Sequence, residues 1–252
     1  MPETEKRHCR RIAMAVDPRK RQKKLERRKA KQKAERRELA RRESRGIASR
    51  LEAASAAPIL HCCMADTIWS TGIGNVLISR KLNDGRVAFA VFLVDVYCLG
   101  VKDVFMNILP QARYDRQLYG KMASQFTLQT MKPECARKLV EGAVRYASDL
   151  GFPPHADYGS AKPIFGDIRA EDCTHEFVFG KDGQPLFCSG PNDSRARCDQ
   201  ILHMLHNHCG PNGFHYIIGG PLSGGPMAMA GIDDEESELD EPDNDIAIPF
   251  EP

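Results

Sequence analysis

No apolar run in this 252-residue chain is long enough to cross a membrane. The longest, Val87-Ala88-Phe89-Ala90-Val91-Phe92-Leu93-Val94, stops after eight residues at Asp95, where a spanning helix needs about twenty. The opening residues Met1 to Arg7 are charged and carry no apolar signal core. The nine cysteines are an odd number, without framework spacing and without a C-x-x-C pair. These absences predict a protein of a reducing compartment, cytoplasmic or, in a eukaryote, nuclear, with unpaired thiols mostly buried as small apolar groups.

The signatures of several enzyme classes are missing as well. There is no Gly-x-Ser-x-Gly elbow. The stretch Gly219-Gly220-Pro221-Leu222-Ser223-Gly224-Gly225-Pro226 lacks the Gly-Lys-Ser/Thr ending of a phosphate loop and reads as a linker. The deaminase pairing of His-x-Glu with Pro-Cys-x-x-Cys does not occur. Neither a helical DNA-reading pair nor the aromatic sheet signature of an RNA-recognition motif is evident.

What the chain does have is charge, unevenly placed. Residues 1–50 hold twenty Lys/Arg against seven Asp/Glu, and residues 232–252 hold ten Asp/Glu and no Lys or Arg. The near-neutral whole, with a formal net charge of +2, therefore hides a strongly dipolar molecule. Residues 18–46 are built from good helix formers, but Leu25 and Leu39 are too far apart to make an apolar stripe. The reading is a basic arm, helical or disordered, over 1–50, a globular domain over 51–219, and a Gly/Pro linker and acidic disordered tail over 220–252.

Within the middle, Ile59 to Met64 and Asn75 to Leu82 read as strands. Asn83-Asp84-Gly85 is a turn that returns the chain as a third strand from Arg86 to Cys98. Asp103 is placed to cap a short helix through Leu109, residues 111–123 look helical, and Phe126 to Met131 reads as extended. Pro133 and Glu134 open a helix to Leu150 whose Ala136, Leu139, Val140, Ala143, Val144 and Ala147 fall at helical spacing. A second hairpin is expected from His175–Phe179 and Pro185–Cys188. A helix to about His208 and a last strand over Phe214–Ile218 follow. Hairpins with helices over one face make an α+β fold of antiparallel hairpins covered by helices.

Three sets of residues carry candidate chemistry. Arg19, Lys20, Arg21, Lys23, Lys24, Arg27, Arg28 and Lys29 form the densest cationic run; with no aromatics among them, they suit phosphate-backbone contact rather than base reading. A buried carboxylate costs free energy unless paired. Asp95, which interrupts an apolar strand, with Asp167, His155 and a third acid, Asp157, therefore makes a candidate catalytic site for a metal-dependent hydrolase or nuclease. The plainer alternative is that Asp95 faces solvent or pairs with Lys102 or Arg80. Asp199, His203 and His206 fall at i, i+4 and i+7 on one helical face and are candidate ligands for a divalent metal; the same positions suit the polar side of a surface helix.

The function these features favour is non-catalytic association with nucleic acid or a ribonucleoprotein, RNA ahead of DNA. The alternatives are the metal-dependent enzyme and a protein–protein interaction module with charged tails. In the acidic tail, Asp233 to Glu241 would compete with phosphate for the basic arm.

Overall fold

A computed structural model describes residues 18–191 and 193–219. In chain order they form α1 (Pro18–Ala54), β1 (Ile59–Ala65), α2 (Ile68–Thr71), β2 (Ile73–Lys81), β3 (Arg86–Asp95) and β4 (Gly100–Pro110). Next come α3 (Gln111–Arg113), a π-helical turn (Tyr114–Tyr119), α4 (Gly120–Gln125), β5 (Leu128–Thr130) and α5 (Pro133–Asp149). The chain ends in α6 (Tyr158–Ala161), two short 3₁₀ turns (Lys162–Phe165 and Ala170–Asp172), β6 (Leu186–Cys188), α7 (Arg195–Cys209) and β7 (His215–Ile217).

The Asn83-Asp84-Gly85 turn sets the register of the sheet. Gly85 takes a φ of +80°, open to glycine at no steric cost, and Asp84 Oδ1 accepts the Arg86 amide N–H at 3.0 Å. From this turn β2 and β3 pair antiparallel, Lys81 opposite Val87 through Ile73 opposite Asp95. The full sheet runs β4-β3-β2-β1-β5, all neighbours antiparallel.

The sheet is covered on both faces, not one. On one side α5, the end of α1 and the Lys162–Phe165 turn bury Val76, Ile78, Ala88, Ala90 and Phe92 beneath Leu51, Leu139, Val140, Ala143 and Phe165. On the other, Tyr114, Leu118 and Met122 close over Cys63, Leu77, Phe89 and Val91. This is why β3 reads as an unbroken apolar run: both sets of alternate side chains are withdrawn from water.

The helix expected from Asp103 is a strand. β3 lies inside the sheet, so the backbone groups along its outer edge need partners; β4 supplies them from Gly100 opposite Asp95 to Pro110 opposite Arg86. Asp103 does not cap a helix, and its Oδ1 accepts the N–H of Val104 at 2.8 Å.

The second hairpin is also absent. Only the bridge Lys181–Gln184 survives of it, and β6 pairs in parallel with β7 instead, with α7 as the crossover between them. Ser194 caps α7 by accepting the Arg197 amide at 3.3 Å. Cys198, Ile201 and Leu205 pack it onto Phe187, Cys98 and Phe152 in a third cluster. Residues 175–179 are diverted because Phe177 and Phe179 stack on Trp69 and Tyr146.

The expectation of unpaired thiols needs correction at one pair. Cys135 and Cys173, 38 residues apart, form a disulfide with Cα atoms at 5.0 Å, brought together where α5 meets the Ala170–Asp172 turn. Cys62, Cys63, Cys98, Cys188, Cys198 and Cys209 are free thiols. Among the described residues no helix is long and apolar enough to cross a membrane. The acidic tail lies outside the described residues.

Candidate nucleic-acid interface

α1 is 37 residues long, about 55 Å at the usual rise. It holds sixteen Lys/Arg against five Glu. Its C-terminal end is fastened to the domain: Leu51 and Ala54 are buried in the main core and Ile47 packs against it. Further up the helix the surroundings change. Every residue from 26 to 35 is exposed, which is nearly three turns, so that stretch rests no face on protein. Arg27, Arg28 and Lys29 stand there in solvent. Arg19, Lys20, Arg21, Lys23 and Lys24 lie along the same helix, their side chains outside the described ones. The one ion pair seen within 26–35, Lys31 with Glu35 at 3.7 Å, is solvent-exposed at both ends and contributes little.

The aspartates of the candidate catalytic site are not gathered. Asp95 is 6% exposed at the end of β3. Its Oδ1 accepts the backbone N–H groups of Tyr97 at 3.0 Å and Cys98 at 2.9 Å, so the carboxylate closes the turn between β3 and β4. Burial raises its pKa, while the Lys102 charge and the backbone donors pull the other way. Of the two expected partners, then, Lys102 is the one close by, and the side chain does not face solvent. Asp167 is exposed and lends its charge to Arg80. Arg80 stands seven residues along β2 from Ile73, the residue opposite Asp95, roughly 24 Å at strand rise. His155 is at the Asp95 end of the sheet, where its backbone N–H donates to Val101 O at 2.9 Å. Its ring lies 3.8 Å from both Asp103 and Asp157.

On α7, Asp199, His203 and His206 are all exposed, on the side away from buried Cys198, Ile201 and Leu205. Among the described residues no three His, Cys, Asp or Glu side chains are grouped so as to hold a metal ion.

Two polar constructions are invisible in the sequence. Arg80, 5% exposed, donates to the carbonyls of Ile164, Phe165 and Ala57 at 2.7, 2.9 and 2.5 Å, tying the Lys162–Phe165 turn and the end of α1 to β2. Beneath the π-helical turn, Ser79 Oγ donates to His61 O at 3.3 Å and Tyr114 donates to Ser79 Oγ at 2.9 Å. Each hydroxyl has one hydrogen, so Tyr114 Oη is left to accept from His61 Nδ1 at 2.9 Å. The His61 ring stacks on Tyr119 with centroids 4.0 Å apart. Burial holds the imidazole below its ordinary pKa, against an opposing pull from Asp115. Arg80 and Ser79 within an apolar strand were the only available signal, and their partners come from remote segments.

No protein-family model, no curated protein and no solved structure matches this chain.

Proposed function

We propose that this protein binds the phosphate backbone of nucleic acid through α1, RNA or a ribonucleoprotein foremost, and performs no chemistry on it. The observation that carries this reading is the stretch 26–35, charged and exposed on every face. A helix polar all round is not held by packing, and its clustered like charges repel one another until a polyanion compensates them. Each phosphate that a Lys or Arg neutralises releases condensed counterions, which drives association. The absence of aromatic residues from α1 leaves no platform for base stacking, which matches backbone contact without sequence preference.

The test is fluorescence anisotropy with labelled single-stranded RNA and duplex DNA. The full chain is compared with the triple variant Arg27→Glu/Arg28→Glu/Lys29→Glu. The variant should bind about tenfold or more weakly at moderate salt, while Asp95→Asn should bind as the unaltered protein does. Equal affinity of the triple variant, or no binding by the unaltered protein in dilute buffer, would refute the proposal.

A further inference from the structure

The segment Thr174–Phe179 lies along α5, held by side chains rather than by its backbone: Phe177 and Phe179 pack against the edge of the main core, and Phe179 lies against Gly142 of α5. Among the described residues it makes no backbone–backbone hydrogen bond; the chain regains one only at Gly180, whose N–H donates to Val96 O at 2.9 Å. Upstream, the Ala170–Asp172 turn is closed only on itself, through Asp172 to Arg169 and Cys173 to Ala170. The attachments that remain are side-chain ones. Phe177 stacks on Trp69, centroids 5.8 Å apart and planes 7° from parallel. Phe179 stacks on Tyr146 at 5.7 Å. Lys138 Nζ reaches Glu176 at 2.6 Å, but the Glu176 side chain is 83% exposed, so that pair is worth little. Lys138 also donates to Cys173 O at 3.2 Å. The covalent attachment is the disulfide from Cys173 to Cys135 in the first turn of α5.

A groove of about 370 Å³ runs between this strap and α5. Lys138, Glu141, Gly142 and Arg145 line one wall, Phe177 and Phe179 the other. The groove therefore exists only while the strap is seated. Cys135 is half-buried and Cys173 is buried, so of the two residues Cys135 is the more open to an attacking thiolate. The buried thiols Cys62 and Cys63 are pushed up to about 12 and about 11 by desolvation and stay protonated, which keeps them out of exchange.

We propose that the Cys135–Cys173 disulfide is a thiol-sensitive latch. Closed, it seats the strap Thr174–Phe179 against α5 and over Trp69; opened by a dithiol reductant, it lets the strap lift while the sheet and its helices stay in place. In the opening reaction one thiolate of the dithiol attacks Cys135 Sγ, forming a mixed disulfide and releasing Cys173 as thiolate. The second thiol of the reagent then attacks its own sulfur in the mixed disulfide, closing the reagent's internal disulfide and releasing Cys135. Two electrons pass from the dithiol to the cystine, and the two new thiolates take up the two protons that the dithiol gives up. The strap lifts because its freedom rises once the cross-link is gone; among the described residues no backbone–backbone hydrogen bond holds it, and the partly buried Phe177 and Phe179 oppose it.

The chain carries its own reporter, since Trp69 is its only tryptophan; the residue is 36% exposed, and Phe177 of the strap stacks on one face of its ring. Thiols are counted in denaturant before and after reduction, and acrylamide quenching of Trp69 and far-UV circular dichroism are followed in the native full-length protein. The latch predicts two additional thiols on reduction, a quenching constant raised about twofold as the face stacked by Phe177 is freed by local opening, and an unchanged dichroism spectrum. Cys135→Ser should show the high quenching without reductant. In Phe177→Ala the stacked face is already free, and reduction should add nothing. No gain of thiols, a gain of two with quenching unchanged, or collapse of the dichroism on reduction would each overturn the proposal.

Discussion

Asp95 shows how one side chain can look catalytic in sequence and be structural in the fold. It breaks an apolar strand because the chain must turn there, and its Oδ1 takes two backbone N–H groups that would otherwise be buried without a partner. Its pKa is raised by desolvation, so ionisation at neutral pH works against stability. Asp95→Asn keeps an Oδ1 acceptor and drops the charge, and its stability from urea unfolding should stay within about 1 kcal/mol of the parent. Asp95→Ala orphans both donors and should cost about 2 kcal/mol. His61 gives the second test at this scale. Its folded pKa is lowered from about 6.5, so above that pH it is neutral in both states and contributes no pH dependence. As pH falls below about 6.5 the unfolded chain takes up the proton first, and folding weakens until the folded form also protonates. Thermal unfolding should show a loss of stability from neutral to mildly acidic pH that is smaller in His61→Gln; equal losses would show that another group is responsible.

At the scale of elements, the parts that the sequence made legible are those whose pattern is local. The β2–β3 hairpin rests on a glycine turn between apolar runs. α5 rests on Pro133, one apolar face and a glycine, Gly151, at φ +87°. α7 rests on its Ser194 cap. The parts not legible are those whose state depends on a neighbour. β4 has Asp103 at a capping position and Pro110 at its end, so it passes for a short helix, and only the open edge of β3 makes it a strand. Segment 175–179 alternates like a strand, yet its aromatics find Trp69 and Tyr146, and among the described residues its backbone has no backbone partner. Gly100 illustrates the same dependence: it has φ +65°, and a Cβ there would meet Ala147 Cβ at 2.7 Å and Ala143 O at 2.8 Å. Gly85 has φ +80° with open space around it. Gly85→Ala should therefore cost about 1–2 kcal/mol from backbone strain alone, and Gly100→Ala more, by about 1–3 kcal/mol for the displaced packing against α5. Chemical denaturation of the two variants reads the difference directly.

For the molecule as a whole, charge separation is the dominant feature. A domain of nearly balanced charge follows a helix carrying sixteen basic and five acidic residues. If α1 is the phosphate-binding element, the logarithm of the affinity should fall linearly with the logarithm of salt concentration. The slope counts the phosphates neutralised, and reversing Arg27, Arg28 and Lys29 should make it shallower by about two to three. A slope unaffected by those substitutions would move the binding site off the helix. The candidate aspartates are placed at this same scale. Asp95 and Asp167 lie at opposite ends of β2, and nothing in their one-dimensional spacing told of that separation. The Cys135–Cys173 pair is the converse case, two residues distant in the chain that the packing of α5 brings into bonding range.

Composition and local pattern, taken alone, determined the charge asymmetry, the glycine turn, the two amphipathic helices and the α+β class, because each is written in residues close together along the chain. The tertiary structure alone decided that the sheet is covered on both faces, that residues 100–110 complete it, that Asp95 caps a turn and that Cys135 and Cys173 are joined. Each of those outcomes satisfies a buried backbone group, an apolar face or a sulfur with a partner from a distant segment, and such a partner is defined only once the chain has folded.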